Sequence, residues 1–331
     1  MSESFQALVA RKTDEKVHCQ YETLSLDDLD EGDVTVAIEF STLNFKDGLA
    51  MTGSAPIVQR HPLVLGIDYA GTVIESTHSN VGTGDRVVLN GYGASEYLHG
   101  GYAGRARVSG DLLVKLPESL STRRAMAIGT AGYTAMLSVM ALQENGPAPG
   151  DGEILVTGAV GGVGSVAISL LAGLGYRVIA STGRPEEASF LTDLGAADIM
   201  DRAVLSERGK PLQKERWAGV VDCVGSHTLA NCIAQTRYDG IVTACGLAQG
   251  ADLPATVMPF ILRNVQLRGV DSVQAPMARR ETAWARLASE LDLDSLDALS
   301  FDLPFSELMD AGPAILAGKT RGRAVVDLTS I

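Results

Sequence analysis

From Glu153 onward the apolar positions fall into short runs separated by longer stretches with helical spacing: EILVTG, GVGSVAISLLAGLG, YRVIAST, PEEASFLTDLG and ADIM. The series continues through AGVVDCVG, HTLANCIAQT, GIVTAC, TVMPFILRN and VQLRGV. Short apolar runs bounded by Gly, Asp or Ser read as buried strands, and the stretches between them as helices. Six such strands predict a doubly wound six-stranded parallel sheet of the dinucleotide-binding kind, assigned to residues 125–270.

The preceding segment obeys a different pattern. In VTVAIEF, Val34, Val36, Ile38 and Phe40 alternate with outward positions, as in a half-buried antiparallel strand. PLVLGIDYAGTVIES, GDRVVLN and DLLVKLP are separated by Gly, Asp, Ser and Asn turns and predict a compact β-rich domain. After Ser272 the helix RRETAWARLASEL is followed by a helix and a closing strand in PFSELMDAGPAILAGKTRGRAVVDL. The tail is expected to return to the β-rich lobe, giving a catalytic domain of residues 1–124 and 271–331. The fold class is α/β, with the default active site in the cleft between lobes.

Composition narrows the function. The 331 residues carry 27 basic and 40 acidic side chains, a formal charge of −13, which disfavours nucleic acid and anionic membrane as partners. An anionic ligand therefore needs a local basic pocket. Cys19, Cys223, Cys232 and Cys245 lack CxxC spacing, and MSESFQALVARK has no hydrophobic signal core, so a cytoplasmic protein with reduced thiols is expected. Glycines or charges interrupt every apolar stretch approaching the roughly 20 residues of a membrane span.

The strongest local motif is Thr157-Gly158-Ala159-Val160-Gly161-Gly162-Val163-Gly164, between a predicted strand and helix. Ala159, Gly161 and Gly164 take the small positions of G-x-G-x-x-G: Gly161 for close approach of a pyrophosphate, Gly164 for tight helix–strand packing. The helix start adds amide donors and a positive dipole. At the end of the second strand, about 20 residues on, an NAD reader usually carries an acid. This chain has Ser181-Thr182-Gly183-Arg184, whose hydroxyls and guanidinium suit a 2′-phosphate, so NADPH is the expected cofactor. A solvated surface role for Arg184 is the alternative.

The blocks STLNFKDGLAMTG, GIDYAGTV, GTAGYTAM, TGAVGGVGSVA, ACGLA, LPATVMPFILRNVQLRGVDSV and GRAVV carry a resemblance that runs nearly end to end. The chain resembles a zinc-free medium-chain dehydrogenase/reductase of the quinone-oxidoreductase type, and more closely the bacterial acryloyl-CoA reductase family. The resemblance implies a GroES-like catalytic lobe beside the Rossmann lobe, usually a homodimer, and NADPH-dependent reduction of the 2,3-double bond of acryloyl-CoA to propanoyl-CoA. Zinc-dependent relatives carry a catalytic Cys and a Gly-His-Glu motif where this chain reads Leu43-Asn44-Phe45-Lys46-Asp47 and Gly66-Ile67-Asp68, so no metal is expected. Leu247, Ile261 and Ser272 are implied near the nicotinamide half, with Phe45 and Arg202 added to the cofactor set. The strand VQLRGV would be a free sheet edge, and in this superfamily the equivalent edge pairs across a two-fold axis.

Metal-free reduction of an activated alkene needs a hydride donor at the β-carbon and hydrogen-bond donors for the thioester oxygen as charge develops. Asn44 and Asn90 are the leading candidates, with Lys46, Asp47 and Tyr92 behind them and Tyr92 or water as proton source. Quieter explanations stand beside these: Asn44 as a helix cap, Asp47 binding a backbone amide, Lys46 solvated and Asn90-Gly91 a turn pair. Lys319, Arg321 and Arg323 form a basic cluster suited to a phosphate of CoA or NADPH, or to the end of a helix. A quinone or general enone reductase, and a non-catalytic NADPH-binding protein, are the competing functions.

Overall fold

The computed structural model describes residues 4–14 and 16–331. In chain order the β-rich part begins with β1 (Ser4–Thr13), β2 (Lys16–Ser25), β3 (Val34–Thr42), α1 (Phe45–Thr52), β4 (Leu63–Val64), β5 (Asp68–Ser76), β6 (Arg86–Asn90), β7 (Arg105–Val108) and β8 (Val114–Lys115). Next come α2 (Thr122–Asn145), β9 (Glu153–Val156), α3 (Gly162–Gly173), β10 (Arg177–Thr182), α4 (Ala188–Asp193), β11 (Asp198–Asp201), α5 (Ala203–Ser206) and β12 (Trp217–Asp222). The chain ends with α6 (Ser226–Gln235), β13 (Thr236–Ala244), α7 (Met258–Arg263), β14 (Gln266–Gly269), α8 (Met277–Glu290), α9 (Leu293–Leu299), β15 (Ser300–Leu303), α10 (Leu308–Leu316) and β16 (Arg323–Asp327). Two compact units result: residues 1–130, 272–288 and 296–331, and residues 131–271 with 289–295.

The first unit holds a three-stranded sheet, β2-β1-β4, and a seven-stranded sheet ordered β15-β16-β3-β5-β6-β8, with β7 also on β3. The closing strand β16 lies antiparallel to β3, pairing Val325 with Thr42. Along β3 the alternation buries Val34, Val36 and Ile38, which join Tyr69, Val73, Val87 and Leu89 in one core. Phe40 departs from the pattern and is only half-buried, because the register against β5 shifts between Ile38 and Phe40 and re-aims the strand.

The second unit is a parallel sheet of order β11-β10-β9-β12-β13-β14, the doubly wound arrangement that the strand–helix series predicts. Order reverses between β9 and β12, whose C-terminal ends flank the glycine loop. Leu155, Ile179, Val220 and Val242 fill its interior with Cys232 and Ile233 from α6. The membrane reading needs one correction. By length and composition alone α2 could cross a bilayer, but 94% of its apolar window is buried and its backbone leaves helical geometry at Gly129.

Candidate active site

Five sequence positions far apart in the chain meet in the first unit around Asp68, the first residue of β5. Its Oδ1 accepts from Asn90 Nδ2 at 3.0 Å and from the Thr130 hydroxyl. Its Oδ2 accepts from Asn44 Nδ2 at 2.8 Å and from the Thr130 backbone N–H at 2.7 Å. Beside it lies Arg323, only 3% exposed, donating to Ala127 O, Asn44 Oδ1 and Thr42 Oγ1. The backbone makes room through Gly129, where φ is +52° and an added Cβ would lie 2.5 Å from Arg323 Nη2 and 3.0 Å from Asp68 Oδ2. Only glycine fits there.

Asp47 completes the cluster. It sits in the first turn of α1, where its Oδ2 accepts the Asn44 backbone N–H at 2.8 Å and its Oδ1 accepts Ile67 N–H at 2.9 Å. Full burial, aided by the neighbouring Asp68 carboxylate, pushes its carboxyl up to about 7 against the pull of these donors. A folded value above the unfolded one means that Asp47 contributes stability fully at acid pH and loses it as pH rises through about 7. The stability difference between wild type and Asp47→Asn should therefore shrink between about pH 4 and about pH 7. Thermal melts giving a pH-independent difference would contradict this.

The two asparagines separate on this geometry. Asn44 gives its side-chain N–H bonds to Asp68 and, at 3.2 Å, to Asp47, while its Oδ1 takes a bond from Arg323. Its side-chain amide has nothing left to donate. Asn90 gives one amide hydrogen to Asp68, and its other has no acceptor among the described residues although the side chain is 2% exposed. A half-satisfied buried amide can still bond an acceptor outside the described residues. Arg280 of α8 fixes it from behind, donating to Asn90 O, Ala275 O, Ser272 O and Val273 O.

Two other sequence candidates, Lys46 and Tyr92, are engaged elsewhere. Lys46 forms an ion pair with Glu96. The Tyr92 hydroxyl donates to Ala275 O at 2.9 Å and its ring lies under the Arg280 guanidinium at 3.6 Å, so its proton is engaged by backbone. Arg323 is a correction: it is not part of a surface cluster with exposed Lys319 and Arg321, because its three-sided donation inside the buried network leaves no face for a phosphate. Phe45 is 43% exposed, and the Ser272 carbonyl is held by Arg280.

In the second unit the loop after β9 turns at Gly158, with φ +61°, one residue ahead of the position occupied by Ala159. Ala159 N–H donates to Ser181 O, tying the loop to the end of β10, while Ala159 and Val160 are buried. Gly161 caps α3 and is followed by Gly162 and Val163, partly exposed at the helix start where amide donors lack intrahelical partners. A Cβ at Gly164 would lie 2.5 Å from Gly158 O, so helix and loop approach as closely as the motif demands. At the end of β10, Ser181 and Thr182 are buried, and Thr182 Oγ1 accepts the Arg184 backbone N–H at 3.0 Å. Arg202 N–H donates to Thr182 O, and a Cβ on Gly183 would lie 2.3 Å from Arg202 Nε, so this guanidinium lies across Gly183. Ser181, Thr182 and the two arginines thus belong to one strand end. Leu247 and Ile261 are 58% and 72% exposed.

Two family models match: the alcohol dehydrogenase GroES-like domain over residues 30–118 and the zinc-binding dehydrogenase over residues 162–289. The chain is 51% identical over 98% of its length to the whole of an acrylyl-CoA reductase of Ruegeria pomeroyi. The chain belongs to the medium-chain dehydrogenase/reductase family. A Salmonella enterica oxidoreductase of that family crystallised in complex with NADP shares 48% identity, with TM-score 0.95 over 97% of this chain and 99% of the other. A Bacillus subtilis protein with NAD bound shares 43% identity, with TM-score 0.95 over 99% and 100%.

The zinc of some members of this dehydrogenase/reductase family does not fit this chain's residues. Both oxygens of Asp47 and of Asp68 accept hydrogen bonds, a guanidinium stands among the carboxylates, and no cluster of three His, Cys, Asp or Glu occurs among the described residues. A dinucleotide fits the second unit, where Gly161 and Gly162 leave the start of α3 without side chains and Gly164 lets the helix pack against Gly158 O.

Proposed function

We propose that the chain reduces the 2,3-double bond of acryloyl-CoA to propanoyl-CoA with NADPH. The end-to-end identity with the Ruegeria acrylyl-CoA reductase carries this reading. NADPH, when bound, supplies the hydride for the β-carbon. The loop from Gly158 to Gly164 would hold its pyrophosphate, and Ser181, Thr182, Arg184 and Arg202 its 2′-phosphate. Asn90, oriented by Asp68, would donate its remaining N–H to the thioester oxygen as negative charge develops there. Exposed Lys319 and Arg321 would meet phosphates of CoA. The direct test follows NADPH absorbance with acryloyl-CoA, crotonyl-CoA, acrylate and a benzoquinone side by side. Fastest turnover of acryloyl-CoA is expected; fastest turnover of the quinone would replace this reading with the general enone reductase, and no oxidation by any of them with a non-catalytic binder.

Cofactor choice rests on the end of β10. Each guanidinium–phosphate bond is worth about 1.5–3 kcal/mol, so Arg184→Ala and Arg202→Ala should each raise the NADPH KM roughly 10- to 100-fold and leave that for NADH nearly unchanged. Equal effects on both cofactors would return the arginines to the solvated surface.

The reading extends to a cytoplasmic homodimer. β14 ends the parallel sheet with one ladder partner, and α7 beside it exposes Met258, Ile261 and Leu262. Pairing of two such edges across a two-fold axis would cover both features. Light scattering that returned the 34.7 kDa of one chain would remove it.

A further inference from the structure

Two thiols that the proposed reduction does not use stand side by side in the second unit. Cys223 and Cys245 are the residues directly after β12 and β13, whose parallel register pairs Asp222 with Ala244 in the preceding row. Neighbouring strands run about 4.8 Å apart, inside the Cα separations that a disulfide spans. Their Sγ atoms are 3.8 Å apart, and Cys245 Sγ also donates to Asp222 O at 3.3 Å. Both are partly exposed, unlike Cys232, which is buried. The pair touches the glycine loop twice. Cys223 N–H donates to Thr157 Oγ1 at 3.0 Å, and a Cβ on Gly158 would lie 3.3 Å from Cys223 Cβ.

We infer that Cys223 and Cys245 are an oxidation site, a dithiol that closes to a disulfide with a two-electron oxidant and whose closure dinucleotide binding opposes. Closure moves the sulfurs from 3.8 Å to the about 2.05 Å of a disulfide bond. That shift drags on the Thr157–Gly158 corner through the Cys223 backbone, so a loop set for a pyrophosphate resists it. The contact with Cys245 holds the Cys223 thiol well above its usual range, so the resting site is S–H there. With an azodicarboxamide such as diamide, one sulfur adds to the N=N bond, and the second attacks the new S–N bond and expels the hydrazine. Two S–H bonds are lost and one S–S bond forms; the two electrons and two hydrogens end on nitrogen.

The test counts maleimide-reactive thiols in the denatured chain after diamide treatment of the folded protein. The four thiols of the chain should fall to two, with the intact mass lower by two hydrogens, Cys223 linked to Cys245 in the peptide map, and full recovery with dithiothreitol. Cys223→Ser and Cys245→Ser should each keep all three remaining thiols through the same treatment. NADP+, which cannot reduce diamide, should slow closure in proportion to the occupied fraction. Retention of all four thiols, a link between another pair, thiol loss in either serine variant, or closure at the same rate with saturating NADP+ would overturn the inference.

Discussion

Replacing Arg323 with methionine should lower the melting temperature by roughly 10 °C. The change keeps much of the side-chain volume but removes the cation lying with Asp47 and Asp68 in the protein interior. Removing one charge from a buried cluster leaves the others with no solvent to turn to, a loss that reaches about 3–5 kcal/mol where a direct pair is broken. Here Asp68 and Asp47 lose a neighbouring cation, and Asn44 Oδ1, Thr42 Oγ1 and Ala127 O lose their donors together. Arg323→Lys should recover only part of the loss, because a single ammonium cannot reach three acceptors in the geometry of the guanidinium fork. A surface arginine engaged with phosphate would behave in the opposite way, with an unchanged melt and a raised KM. Thermal melts and kinetics on the same variant separate the two, and a shift below about 3 °C would return Arg323 to the phosphate cluster with Lys319 and Arg321.

That prediction also marks where the sequence stops being legible. Local chemistry is readable where neighbours in sequence are neighbours in space. The order of apolar runs after Glu153 is the order of the parallel strands, and the small residues from Gly158 to Gly164 lie where a phosphate loop needs them. Even there the corner falls on Gly158, since the positive φ belongs to the residue before Ala159. The Asp68 cluster is different: its members come from β3, α1, β5, β6, the break in α2 and β16, and no spacing rule connects them. Arg323 looks like a third cation in KTRGR until Gly322, with φ +69°, turns the chain and the first residue of β16 points inward. Arg280 has the same history, an arginine in a helix with charged neighbours that is in fact 1% exposed and fastens four backbone carbonyls. For buried cations the usable signal is a set of acceptors, and acceptors on other strands carry no mark in the local pattern.

The same network decides which asparagine matters to the chemistry. Asn90→Ala should reduce kcat for acryloyl-CoA by about 100- to 1,000-fold, the loss of about 2.7–4 kcal/mol seen when one oxyanion donor is removed. KM should change little, because the ground-state thioester carbonyl is a weaker acceptor than the enolate oxygen that follows it. Stability should fall by about 1.5–3 kcal/mol, the net value of a single hydrogen bond to a charged acceptor, here from Asn90 Nδ2 to Asp68. Asn44→Ala should show the reverse balance. It removes donors to two carboxylates and an acceptor for Arg323, so the melt should fall further while kcat in the folded fraction changes less. Asp68→Asn tests the orientation itself: with one carboxylate oxygen replaced by an amide donor, it can no longer accept from Asn90, Asn44 and Thr130 at once. The Asn90 amide then loses its fixed angle, and kcat should drop even where the protein still folds. The assignment fails if Asn90→Ala keeps kcat within about threefold of wild type, since an N–H with no part in stabilising the enolate oxygen is expendable.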